Sequence, residues 1–270
     1  EIINADAFQA YRGMEILSAA PSAEDRQSHV HHLFGHLDPA KENDAAEYSR
    51  AARETIGEVS LRAQPLVTGG SGLYLKALTH GLAPTPKGDP LLRAELESLS
   101  LDDLVERYRH LDPDGAAAMN LKNRRYVIRN LEICLLAGRP ASELKKEWAT
   151  PAPTLQAVVL QRERSDLDER ITRRTQAMFA AGVVAEVARL GVVSVTAEKA
   201  IGLREIRSLL RGEITESDCQ EAIRVATRRY AKRQETWFRR ETAFQTLSVA
   251  PAESPEETAS RIAERFRLLH

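Results

Sequence analysis

In QPLVTGGSGLYLKAL (residues 64–78) an apolar run, a glycine-rich turn and a stretch of helical period follow one another without a break. A strand that passes straight into a helix reaches its neighbour by a crossover. That makes the sheet parallel and lays helices over its faces. The unit is not isolated. Glu1 to Asn4 read as the tail of a buried strand, two adjacent Ile residues followed by a turn former. NDAAEYSRAARETIGEVSLRA reads as an amphipathic helix on Tyr48, Ala52, Ile56 and Val59, and LQAVVLQR and FQTLSVA as later strands among long helices. The expected class is α/β, a parallel sheet flanked by helices.

GLAPTPKGDP (residues 81–90) is a Pro/Gly linker, and from Leu91 to about Ala149 every segment looks helical, with TPAPT marking the exit. A helical domain over residues 85–149 is therefore expected, inserted into an α/β core made of 1–84 and 150–270. The last helix, SPEETASRIAERFRLL, begins with Ser254 as N-cap and Glu257 in the capping-box position. No apolar run is long enough to span a bilayer, so no membrane partner is expected. Cys134 and Cys219 stand alone, which argues against a zinc ribbon or a disulfide scaffold and for a reducing, cytoplasmic setting.

The 270 residues carry a net charge of −1, which excludes indiscriminate electrostatic binding of nucleic acid. Charge is nevertheless uneven. KNRRYVIR and RVATRRYAKRQETWFRR are basic, so each is either a surface for a directed anionic ligand or a solvated helix face. In the second, Arg224 to Arg240, basic residues are interleaved with Tyr230, Trp237 and Phe238, which are stacking surfaces for single-stranded RNA or else core aromatics with snorkelling cations.

Asp6 ends the first strand, where open α/β sheets place ligands, though an N-cap or a loop acid has the same sequence signature. Gly69, Gly70 and Ser71 offer N–H groups and a hydroxyl at a strand-to-helix turn, suited to a phosphate or to a purely structural turn. Arg170 and Arg174 lie one helical turn apart; aimed inward they would clamp a diphosphate, aimed outward they are surface charges. Arg173 reads as the solvated member of that group. His29, His31, His32 and His36 match no common zinc spacing, and no Ser/His/Asp or Cys/His pairing stands out.

Seven stretches, NADAFQAYRGMEI, HHLFGHLDP, PLVTGGSGLYLKAL, VIRNLEI, LDERITRRTQAMFAAGVVAEV, KAIGLREI and TRRYAKRQETWFRR, occur in an order that resembles the tRNA dimethylallyltransferase (isopentenyl-tRNA transferase) family over nearly the whole chain. The resemblance implies a P-loop-kinase-like α/β core with an inserted helical tRNA-binding arm. It also implies Mg²⁺ as cofactor, and transfer of a dimethylallyl group from dimethylallyl diphosphate to N6 of adenosine-37, beside the anticodon of tRNAs reading UNN codons. Asp6 matches the general base, and Arg174, with Arg170, the diphosphate site. Ala7, Phe8 and Gln9 lie in the segment that contacts the adenine, with Ser71 where a Thr is usual beside the tRNA. Arg93, Arg125, Arg129, Lys199, Arg204, Arg228 and Arg233 fall in segments that contact the tRNA anticodon stem-loop. A monomer is expected.

Departures qualify the match. Ala7 stands for a usual Ser, Ala20 for a usual Lys and Asn123 for a usual Asp, and the GVVSVTAEK connection is short. No GxxxxGK[ST] occurs. The family's P-loop lies just upstream of the point equivalent to Glu1, so the natural start, with its Mg²⁺-holding hydroxyl, is expected to be missing; no residue of this sequence is assigned as a metal ligand. Rival expectations are an adenylate isopentenyltransferase acting on free nucleotide, a small-metabolite kinase of the same fold, and a tRNA-binding relative without catalysis. The helical arm and the basic C-terminal helix, which the first two would not need, favour the tRNA enzyme.

Overall fold

The structure, a computed structural model, describes residues 1–146 and 156–267. It divides into two compact units, Glu1–Thr79 with Ala152–His270, and His80–Pro151. In chain order the first unit opens with β1 (Ile2–Asn4), α1 (Glu15–Ser18), α2 (Ala23–Ser28), β2 (His31–His32), α3 (Ala45–Ser60), β3 (Leu66–Thr68) and α4 (Gly72–His80). The second holds α5 (Pro90–Ser98), α6 (Leu101–Leu111), α7 (Pro113–Ala117), α8 (Arg124–Ala137) and α9 (Ala141–Lys146). The chain returns through β4 (Val158–Arg162), α10 (Arg164–Ala180), α11 (Val183–Arg189), a 3₁₀ turn (Ala197–Lys199), α12 (Leu203–Leu210), α13 (Glu216–Phe238), β5 (Gln245–Val249) and α14 (Pro255–Arg267). The TPAPT exit and the ends of the helical readings at Ala149 and Leu269 lie outside the described residues.

Among the described residues all strand pairs are parallel, as crossover connections require. β1 is central, with Ile2 and Ile3 opposite His31 and His32 on one side and opposite Leu66 and Val67 on the other. One point differs from the expectation of a single sheet: β4 pairs with β5, Val158 opposite Gln245 through Arg162 opposite Val249, and among the described residues this pair forms its own two-stranded sheet. Strand period reveals a strand but not its partner, because pairing is decided by packing between distant segments.

Two cores hold the first unit. Tyr11, Met14 and Leu17 pack with Val183, Val187, Leu203, Ile206 and Ile223, which locks the segment after β1 onto α11, α12 and α13. Ala5, Tyr48, Ala52, Tyr74 and Leu75 form the other, beneath the ends of β1 and β3. The second unit is built around Leu96, Leu104, Tyr108, Val127 and Leu131. Its helices start where the sequence supplies caps. Asp89 accepts from the N–H groups of Leu91 and Leu92, Ser100 from Asp103, Asp112 from Gly115 and Asn123 from Tyr126. At the other end of the chain the Ser254–Glu257 capping box forms, each side chain accepting from the other residue's N–H.

Candidate active site

β1 ends at Asn4, whose side chain shapes the loop after the strand. Asn4 accepts from the Asp6 N–H at 2.7 Å and donates to the Asp6 and Leu33 carbonyls at 2.9 and 3.0 Å. Leu33 is held at φ 64, a left-handed conformation costly for a branched side chain, which marks this corner as tightly determined. Asp6 Oδ1 accepts from the N–H groups of Phe8 at 2.9 Å and Gln9 at 3.4 Å. Among the described residues nothing bonds Oδ2. Burial pushes the Asp6 carboxyl above its usual range; the two N–H donors and the charge of Arg174 oppose that rise.

The glycine turn after β3 closes against this loop. The Ser71 hydroxyl accepts from the Ala7 N–H at 3.0 Å, and Ser71 N–H reaches the Ala5 carbonyl. Gly69 is required by proximity, since a Cβ there would run into the Ala5 backbone. The Gly70 carbonyl accepts from Gln234 Nε2 at 3.0 Å and Tyr230 Oη at 3.4 Å, both from α13. The turn is therefore a brace between β1, β3 and α13, the structural use that the sequence also allowed.

Arg174 comes from α10, the helix after β4. Its Nη2 donates to the Ser18 carbonyl at 3.4 Å, and Gln9 Nε2 donates to the Ser18 and Ala19 carbonyls at 3.3 and 2.9 Å. Crowding by protein lowers the Arg174 pKa, and the Asp6 charge works against that. The two groups thus sense each other, although no ion pair joins them among the described residues. Beside Arg174 opens a cavity of about 520 Å³, lined largely by apolar atoms of Ile16, Ala20, Pro21 and Met178, with Arg26 at its wall. Asp6 does not line it.

Arg170 does not share this setting. It donates to Asp166 Oδ1 at 3.0 Å, and Arg162 reaches the same carboxylate at 3.0 Å. That carboxylate, one helical turn away, competes with any diphosphate for Arg170. Arg173 is exposed beside Glu169.

The basic positions separate by partner. Arg93 and Arg129 converge on Glu132 at 2.7 and 2.6 Å, and Arg129 also donates to the Pro86 carbonyl. Arg125, Lys199 and Arg204 are exposed. Arg228 faces Asp168 at 3.4 Å, and Arg233 lies over the Tyr230 ring at 5.4 Å. Trp237 and Phe238 follow the core reading of the two that the sequence allowed: both are half-buried, pack onto the Tyr48–Tyr74 core and meet edge-on at 4.8 Å, with Phe244 closing the group. Apolar burial at a helix end next to a core outweighs what those rings would gain in solvent. Among the described residues no group of three or more His, Cys, Asp or Glu could hold a metal ion.

The IPP transferase family model matches residues 9–241, most of the chain. The chain belongs to this family. One relative and two solved structures put the membership in scale. A tRNA dimethylallyltransferase of Akkermansia muciniphila is 46% identical over 267 residues, covering 98% of this chain and 90% of the relative. The crystal structure of the full-length tRNA isopentenylpyrophosphate transferase from Bacillus halodurans is 30% identical with a TM-score of 0.67, covering 100% of this chain and 90% of that one. A eukaryotic dimethylallyltransferase structure, 23% identical, shares the fold with a TM-score of 0.82, over 100% of this chain and 73% of its own.

Within this IPP transferase the structure adds Asn43 and Gln234, which the sequence did not single out, and gives Asn4 and Tyr230 partners that it did not foresee. Asn4 and Asn43 hold the Asp6 loop, Asn43 Nδ2 donating to the Ala7 carbonyl at 3.3 Å, and Tyr230 and Gln234 hold the glycine turn. Nothing in periodicity marks them. Asn4 stands two residues before Asp6, a spacing at which Asn side chains bond the local backbone, and that was the one available signal.

Proposed function

We propose that this chain transfers the dimethylallyl group of dimethylallyl diphosphate to N6 of adenosine-37 in tRNAs reading UNN codons, releasing diphosphate. One observation carries the proposal: a desolvated strand-end carboxylate, Asp6, senses the guanidinium of Arg174, which no acid pairs among the described residues, beside an apolar cavity. The Asp6 oxygen left without a backbone donor takes the proton from N6 as that nitrogen attacks the allylic carbon. The C–O bond breaks, and its electron pair leaves with the diphosphate. Burial raises the basicity of Asp6 while Arg174 keeps it ionised, and such assistance is worth about 10²–10⁴-fold. Arg174 stabilises charge that grows on the departing oxygens, more in the transition state than in the ground state. The apolar wall suits the five-carbon chain.

The adenine leaves its stack to reach Asp6. Ala7, Phe8 and Gln9 would line its path. The helical unit, with exposed Arg125, would hold the anticodon stem-loop through phosphates, which orient without reading sequence. Mg²⁺, when bound with the donor, would offset charge on the departing diphosphate, and no residue of this sequence is assigned as its ligand. We place the enzyme in the cytoplasm as a monomer; among the described residues no helix is long and apolar enough to cross a membrane. Full-length protein incubated with unmodified tRNA and dimethylallyl diphosphate should yield a prenylated adenosine on mass analysis of the digest, with free AMP untouched. Prenylated AMP, or no adduct, would overturn the assignment.

A further inference from the structure

The short helix α1 has no side-chain cap of its own, because its N-cap residue is Met14. The cap comes from far along the chain. Glu186 of α11 points both carboxylate oxygens at it, Oε2 accepting from Ile16 N–H and Oε1 from Leu17 N–H, each at 2.8 Å. Glu186 is 6% exposed, and Met14, Leu17, Val183 and Val187 pack around the contact in one core. The opposite end of the same turn is where the site rests. Ser18 and Ala19 present the carbonyls that receive Gln9 and Arg174, and Ala19 sits at φ 50, a conformation that aims those carbonyls and is disfavoured for a residue with a Cβ.

We infer that Glu186 is a positioning residue for catalysis. Through α1 it fixes the carbonyl ledge that orients Arg174 and Gln9, and so sets the geometry between the diphosphate-binding guanidinium and the Asp6 loop. This rests on the function proposed above. A carboxylate taking two N–H groups from successive residues holds a four-residue helix against rotation, which a single neutral acceptor would not. α1 is too short to hold its own orientation by backbone bonding.

The test compares Glu186→Gln and Glu186→Leu in the full-length enzyme, assayed well below their melting temperatures, with Arg174→Ala and the double variant Glu186→Gln/Arg174→Ala. Glu186→Gln should lower kcat/KM for dimethylallyl diphosphate about tenfold and Glu186→Leu more, with tRNA affinity within twofold of wild type. In the double variant the loss should fall well short of the product of the two single losses, because the ledge acts through Arg174. Wild-type kcat/KM in a folded Glu186→Gln protein, or fully multiplicative losses, would leave Glu186 a purely structural cap and overturn the inference. Absence of prenyl transfer by the unmutated enzyme would instead overturn the function itself, and this inference with it.

Discussion

Asp6 and Glu132 are both carboxylates with arginines nearby, and the protein treats them in opposite ways. In the helical unit Glu132 has no solvent exposure, receives Arg93, Arg129 and the Asp89 N–H, and is held below its usual range because those bonds outweigh burial. In the α/β unit Asp6 receives two backbone N–H groups and feels Arg174 from beyond contact, so burial wins and its pKa rises. A carboxylate closed on its cations is a structural clamp. One left partly unsatisfied, with its cation held off, is ready to accept a proton.

The contrast between the two acids fails first if Asp6 proves structural. Asp6→Ala should cut turnover by about 10³-fold, the scale of a lost general base, while tRNA affinity stays within a few-fold. Equal loss of both, in filter-binding and single-turnover assays, would return Asp6 to the role of a loop cap. Asp6→Asn refines this, since it keeps the acceptor for Phe8 and Gln9. Folding raises the Asp6 pKa, so the ionised form costs stability above the unfolded value of 3.8, and the variant should melt higher than wild type at pH 7 while remaining inactive.

Next in size, Arg174→Ala should reduce kcat/KM for the donor by about 10²-fold with tRNA binding unchanged, as for loss of one preorganised charge on a leaving group. Wild-type affinity for dimethylallyl diphosphate by calorimetry in that variant would refute the diphosphate role. On the structural side, Glu132→Gln should destabilise the protein by about 2 kcal/mol in urea unfolding. That is below the 3–5 kcal/mol of a fully buried broken pair, because Arg93 and Arg129 are partly solvated. The sign with pH follows from the lowered pKa. The clamp's contribution is complete above the unfolded Glu value of 4.5 and is lost as pH falls through the lower folded value. The smallest effect is a shift: the acidic limb of kcat/KM should lie above 3.8, and Arg174→Ala should move it higher, because the guanidinium lowers the Asp6 pKa. An unmoved limb would mean that the two groups are not coupled.

Much of this was legible in the residues. The βα unit around TGGSG, the capped helices of the inserted segment and the strand-end position of Asp6 follow from local period, turn chemistry and caps, which act over a few residues. Arg170 and Trp237 show where such reasoning stops. Helical spacing put Arg170 beside Arg174, yet Asp166, four residues before it, turns it into part of a clamp with Arg162. Charge interleaved with rings left Trp237 either a platform for RNA or a core aromatic, and the packing of the half-buried ring on the Tyr48–Tyr74 core is what only the structure supplies.

By itself the sequence determined the strands other than β2, the long helices, the parallel sense of the strands and, through seven ordered stretches, the family. Tertiary structure alone decided which acid stays desolvated, which arginine is held at a carbonyl ledge instead of an acid, and which distant carboxylate caps α1. The physical reason is range. Propensity and capping are settled between neighbours, whereas a pKa is set by every atom that displaces water from the group, and the groups that sense Asp6 come from α4, α10 and α13 at once.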